Sequence, residues 1–395
     1  MKKRKKISKS IINKRFRRRL KSKEKRKNKR RSLQKDVAPT PNFEIKPKKN
    51  ITKVKHQIKE IPNYEQKTKQ FTDKKIINAN DVFNYIGDIN SEEYDATFQF
   101  YQENLERQSR YNIKNCIYYF DKENSFNAAA IKKKNHNLVK INKGLMVGMM
   151  NMFKNNPDLL NHPDLSKYSE IEDVLDVPNH ILMYQNASHF VFYHELAHLI
   201  QFNDLKQNAL QEALINTDNF NFSKHISEMD ADEFAGVSMA SHISQYFEKY
   251  KDEEGAGRLL NNLVVLVVSS IILYILSFPS NRAPIYYKQG THPHPVIRVL
   301  SVAFTIISHL KELLSKHNIE INLDHVEIFK EALKVSQVIE TEQWGSTLCN
   351  LFYENVENSL EDIWNYITEL HKARKDSKVT AIYKRNKVTK KIHKK

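Results

Sequence analysis

His194, Glu195 and His198 stand as H-E-x-x-H within Tyr193-His194-Glu195-Leu196-Ala197-His198-Leu199-Ile200. On a helix, positions i and i+4 share a face, so both imidazoles can reach one tetrahedral Zn2+ ion while Glu195 projects beside it. Val191, Phe192, Leu196, Ala197 and Leu199 make the remaining faces apolar. Two histidines and a glutamate buried there without a metal would be costly. A catalytic zinc site takes three protein ligands and leaves the fourth place to water. The stretch Ile226-Ser227-Glu228-Met229-Asp230-Ala231-Asp232-Glu233-Phe234-Ala235 supplies the missing carboxylate. As a helix it puts Glu228 and Asp232 on one face, Glu228 as third ligand and Asp232 as acceptor for the outer ring nitrogen of a ligand histidine. His225 is a rival third ligand, but choosing it leaves the Glu228 and Asp232 pair without a purpose. The chemistry expected is hydrolysis: zinc brings the pKa of its water toward roughly 7, and Glu195 takes that proton and returns it to the leaving amine.

The elements that must position these residues read as mostly helical. Pro178 to Phe202 forms the helix of the first motif and Ile226 to His242 that of the second, with a polar loop between them. Upstream, Tyr94, Phe98, Tyr101 and Leu105 recur at helical spacing between Glu92 and Ser109. Short strands follow at Asn115-CIYYF, Asn127-AAAIKK and Asn137-LVKIN, then a helix from Leu145 to Phe153. The strand Asn127 to Lys133 is expected at a sheet edge, where an extended substrate could add as a further strand. Leu263 to Phe278 is uncharged; its 16 residues span roughly 24 Å as a helix, short of the roughly 30 Å of a bilayer's hydrocarbon. A buried core helix is the preferred reading, with membrane association at the inner face as the alternative. Val326 to Val338 and Leu360 to Lys372 continue as amphipathic helices. The fold class expected is α+β, mostly helical with one small sheet.

Charge divides the chain. Residues 1–35 hold 20 Lys or Arg against Glu24 alone, and residues 372–395 hold 11 against Asp376 alone. With a net charge of +18 for the whole, the stretch between is an acidic globule. Segments this basic and this poor in apolar residues are expected to be disordered and to contact a polyanion such as RNA, DNA or the ribosome. The division expected is a basic arm and linker over 1–75, a metallopeptidase domain over 76–371 and a basic tail over 372–395. No apolar secretory core follows the basic start, so the expected location is the cytoplasm. Cys116 and Cys349 match no metal or redox spacing and read as reduced packing residues.

H-E-x-x-H followed by E-x-x-x-D resembles the gluzincin metallopeptidases, and Glu228-MDADEFA is similar to the form found in the prenyl-protease and heat-shock peptidases of that clan. Phage-exclusion peptidases, whose target class is translation elongation factor, share it as soluble relatives. Asn127-AAA before Asn137-LVKINKGLM resembles the edge strand and the strand-to-helix segment ahead of their zinc helix. Thr291-His292-Pro293 with Arg298 resembles their distal T-H-P…R segment. The resemblance covers about residues 112–300. It implies a zincin-type domain, one zinc ion, a protein substrate, and a hydrogen-bonding role for His292 toward the reacting carbonyl, or else a packing role. The competing reading is a nucleic-acid- or ribosome-associated binding protein whose zincin core is inactive.

Overall fold

The computed structural model describes residues 63–205, 209–211, 220–278, 284–345, 348–377, 381–382 and 384–385. The chain divides into two units, Met1–Lys59 and Glu60–Lys395, and every described residue belongs to the second. The fold is α+β and mostly helical. Helices α1 (Tyr64–Asp73) and α2 (Ser91–Glu106) lead into strands β1 (Cys116–Asp121), β2 (Ala128–Lys133) and β3 (His136–Asn142). Then come α3 (Lys143–Met149), α4 (Ser169–Leu175), α5 (Asn179–Leu205), β4 (Ala209–Gln211) and α6 (Phe222–Phe247). Helices α7 (Ala256–Leu276), α8 (Pro295–Lys316), α9 (His325–Trp344) and α10 (Leu348–Ser377) complete the described order.

The sheet order is β1-β3-β2-β4, with β1 parallel to β3 and β2 antiparallel to both its neighbours. Helix α2 covers β1, and Tyr94, Phe98, Tyr101 and Leu105 on its buried face are at most 4 % exposed, as their spacing requires. The other strand of note is β2, which packs against α5. Its short alanines at 128–130 let the helix approach the sheet, and all three are fully buried. Helix α6 lies between α5 and α8. Ala231, Ala235, Gly236 and Ala240 keep that passage narrow: a Cβ on Gly236 would stand 3.2 Å from Thr305 Cγ2 of α8. Helix α7, the one described helix long and apolar enough to cross a membrane, has 94 % of its apolar window buried inside the protein. Its Ser269 hydroxyl lies within hydrogen-bonding distance of Val265 O and of Ala332 O of α9, so this buried hydroxyl is satisfied within the core. Cys116 and Cys349 are free and buried.

Three expectations are corrected. The linker does not run to residue 75: α1 begins at Tyr64, whose ring is buried and whose hydroxyl accepts from Phe120 N of β1 at 3.2 Å. Two buried aromatic side chains, Tyr64 and Phe71, outweigh the lysine-rich composition around them. The strand at 128–133 is not an edge, because β4 occupies its outer side, pairing Ala129 with Gln211 and Ile131 with Ala209. The tail does not begin at 372: α10 continues to Ser377, and Ala381, fully buried, packs against the core. Arg374 is spent on Glu233 and Arg385 on Ser238, so these charges serve burial rather than solvent. The expectations for the arm and linker over residues 1–62 and for the tail over 386–395 lie outside the described residues.

Candidate metal centre

Helices α5 and α6 carry the site between them. His194, Glu195 and His198 lie on α5 and are 0, 1 and 2 % exposed, and Glu228 on α6 is 1 % exposed. His194 Nε2 and His198 Nε2 stand 3.0 Å apart, and the Glu228 carboxylate reaches them at 3.4 and 3.5 Å. Tetrahedral ligands on bonds of roughly 2.0–2.1 Å lie roughly 3.3–3.4 Å from one another, so the spacing suits a zinc-sized ion. The three residues form a buried group that could hold a metal ion.

The outer ring nitrogens decide what the inner ones can do. His194 Nδ1 lies 2.9 Å from Asp232 Oδ1, and His198 Nδ1 lies 2.8 Å from Gln201 Oε1. Both partners are acceptors, so both Nδ1 atoms carry the hydrogen and both Nε2 lone pairs face the same point. Two lone pairs 3.0 Å apart repel unless a cation stands between them. The donor set therefore fits a divalent metal.

Local sequence fixes each support. Asn221 caps α6 by accepting from Lys224 N at 3.0 Å, which sets the register that brings Glu228 and Asp232 inward. Pro293 and Pro295 bias His292 and His294 toward extended backbone, and Pro295 begins α8 at its favoured first position. One turn later Arg298, 4 % exposed, grips Asp232 with two hydrogen bonds of 2.8 Å, from Nε and Nη2. Burial works to raise the Asp232 carboxyl, and the Arg298 guanidinium overrides it and holds the group below the usual range. Burial likewise opposes ionisation of Glu228, but His292 and His198 beside it hold its carboxyl well below the ordinary value. His292 Nε2 is 3.4 Å from Glu228 Oε1, while its Nδ1 bonds the Thr291 hydroxyl at 2.9 Å.

The structure thus brings His194, His198, Glu228, Asp232 and His292 together, with Glu195 buried on the same helix. The rival ligand His225 is excluded from the cluster: its Nε2 lies 3.1 Å from Gln289 O and its Nδ1 bonds the Tyr366 hydroxyl at 2.8 Å. Three contributors escaped the sequence reading. Gln201, Asp230 and the backbone of Ala381 form a buried chain behind His198. The i+3 spacing of Gln201 from His198 was the available signal for the first. The last had none, since it lies 151 residues from its partner. Comparison with protein-family models, curated proteins and solved structures finds no match for this chain.

Proposed function

We propose that the chain is a zinc-dependent peptidase of the gluzincin type, hydrolysing peptide bonds of a protein substrate. The observation that supports this most directly is the convergence of two imidazole Nε2 atoms and one carboxylate, with a glutamate between the two histidines on the same helix. Two neutral nitrogens, one carboxylate oxygen and a place left for water suit Zn2+ in a catalytic rather than a structural role. When bound, the metal would polarise the substrate carbonyl and acidify water. Glu195 would then act as general base and pass the proton to the leaving amine. Asp232 would orient His194, Arg298 keeps Asp232 ionised, and His292, whose Nε2 lies 3.4 Å from Glu228 Oε1, would donate a hydrogen bond to a developing oxyanion.

No member of the cluster is more than 6 % exposed. The pairing of β4 with β2 removes the free strand edge at Ala129–Ile131 as a docking position. Residues 1–35, with 20 Lys or Arg, would carry the enzyme to a polyanionic assembly, and the likeness to phage-exclusion peptidases makes translation factors the first substrates to test. The deciding experiment is elemental analysis and a cleavage screen on wild type, His194→Ala and Glu195→Gln. One zinc per chain, lost in His194→Ala and kept in a cleavage-dead Glu195→Gln, is the expected result. Absence of zinc from metal-replete wild type would overturn the proposal.

A further inference from the structure

The two histidines of the cluster are supported differently. His194 meets a carboxylate directly, whereas His198 meets the neutral amide of Gln201, and the carboxylate stands one bond further out. Gln201 Nε2 donates to Ser227 O and to Asp230 Oδ2, each at 2.9 Å. Because its nitrogen is committed to two acceptors, its oxygen must face His198, and His198 Nδ1 must carry the hydrogen. That choice leaves the His198 Nε2 lone pair turned toward Glu228 and His194. Asp230 Oδ2 in turn accepts from the backbone N–H of Ala381 at 2.6 Å. Gln201 and Asp230 are each 1 % exposed and Ala381 is fully buried, so water does not substitute readily for any member of this chain.

The segment around Ala381 is anchored on both of the site's helices. Lys384 Nζ reaches Ile200 O of α5 at 3.4 Å, Arg385 Nη1 donates to Ser238 Oγ of α6 at 2.7 Å, and the Arg385 guanidinium lies 5.5 Å from the centre of the Phe234 ring. We propose that this C-terminal segment is a latch on the metal site, acting in series: Ala381 N–H holds Asp230, Asp230 holds Gln201, and Gln201 orients the ligand His198. Gln201 and Asp230 are positioning residues, and metal affinity depends on a backbone group far along the chain. The inference rests on His198 being a metal ligand.

The test uses the full chain titrated with Zn2+ against a chromogenic chelator, and with Co2+ for its visible spectrum. Gln201→Leu removes the acceptor for His198, and Ala381→Pro removes the backbone N–H that holds Asp230 from the far side of the chain. Ala381→Gly keeps that N–H and serves as the packing control. Each of the first two is expected to weaken metal binding roughly 10–100-fold and to alter the Co2+ bands, while Ala381→Gly binds as wild type. Since the links act in series, the double variant should bind no more than about twofold more weakly than the weaker single variant. Thermal unfolding of the metal-free proteins identifies any variant that has lost its fold, and Asp230→Leu then takes its place in the cycle. Multiplying effects in the double variant, or equal loss in Ala381→Gly, would mean general loosening and would overturn the latch. If wild type binds one metal and Gln201→Leu binds it equally well, only this inference falls; if wild type binds none, the metal centre falls with it.

Discussion

Replacing Asp232 with alanine separates two roles that the structure joins in one carboxylate. Asp232 accepts both Arg298 hydrogen bonds and faces His194 Nδ1, and neither it nor Arg298 is more than 4 % exposed. Asp232→Ala leaves a buried guanidinium without its counter-charge, a loss on the order of 3–5 kcal/mol. At roughly 2 °C per kcal/mol for a domain of this size, the melting temperature should fall by roughly 6–10 °C. Replacing both partners, Asp232→Ala with Arg298→Met, removes the stranded charge and should restore at least half of the lost stability. Metal affinity should not follow. His194 lacks its orienting carboxylate in the single and the double variant alike, so both should bind zinc roughly 10–100-fold more weakly than wild type. Thermal unfolding in chelator reads the first quantity and competition with a metallochromic dye the second. The reasoning is refuted if the double variant regains wild-type affinity, or if Asp232→Ala melts with wild type.

Burial, with a smaller push from His242, holds the His189 imidazole down at about 3, whereas in the unfolded chain it takes up a proton near 6.5. Its contribution to stability is therefore complete above about pH 6.5 and is lost as pH falls from there toward 3, at up to about 1.4 kcal/mol per pH unit. The urea midpoint should drop between pH 6.5 and 4.5, and drop less steeply in His189→Gln, which keeps an acceptor for the Tyr101 hydroxyl now 2.8 Å from Nδ1. An unchanged slope would show that His189 is not held neutral. Gly236→Val should cost roughly 1–3 kcal/mol by forcing α6 away from Thr305 of α8, read as a lower melting temperature; a neutral outcome would contradict the close approach of these helices.

The cluster that could hold a metal ion was legible because its logic is local. His194, Glu195 and His198 sit one turn apart, Glu228 and Asp232 likewise, and an i, i+4 pair keeps its geometry wherever the helix is placed. Strand β1 was legible for a similar reason, since β-branched and aromatic residues fill Cys116-IYYF between polar turn residues. What stayed hidden depends on contacts distant in sequence. No propensity marks Ala209–Gln211 as the neighbour of β2, because strand pairing is chosen by what tertiary structure brings alongside. Composition misplaced both borders of the ordered unit. Lysine-rich sequence around Tyr64 and Ala381 reads as solvated, yet the buried rings of Tyr64 and Phe71 tie the first segment down, and Ala381 N–H, Lys384 and Arg385 tie down the second. The apolar run Leu263 to Phe278 reads as too short for a bilayer, but α7, which contains most of it, has 21 residues and is long enough to span one, so its burial is visible only in the packing around it.

Glu228, Asp230, Asp232 and Glu233 put four carboxylates into six residues of one helix, and none is more than 4 % exposed. No lysine or arginine lies on α6 near enough to answer them; Lys224 is in its first turn and is the helix's one basic residue apart from histidine. Each acid is met by a different part of the chain. The histidines of α5 and the loop before α8 face Glu228, Gln201 and Ala381 N hold Asp230, Arg298 of α8 pairs with Asp232, and Arg374 and His371 of α10 meet Glu233. Burying any one of these carboxylates without its partner costs several kcal/mol. Helix α6 is therefore stable in the interior only when α5, α8, α10 and the segment at Ala381 have all docked, and assembly of the site is bound up with assembly of the fold. Asp232 and Glu233 meet arginines, Asp230 meets a neutral amide and a backbone N–H, and Glu228 meets His194 and His198, which are neutral whenever their Nε2 atoms are free to bind a metal. Glu228 is the acid of the four toward which those Nε2 lone pairs converge, and a divalent ion at that point would supply the positive charge that neutral His194 and His198 do not.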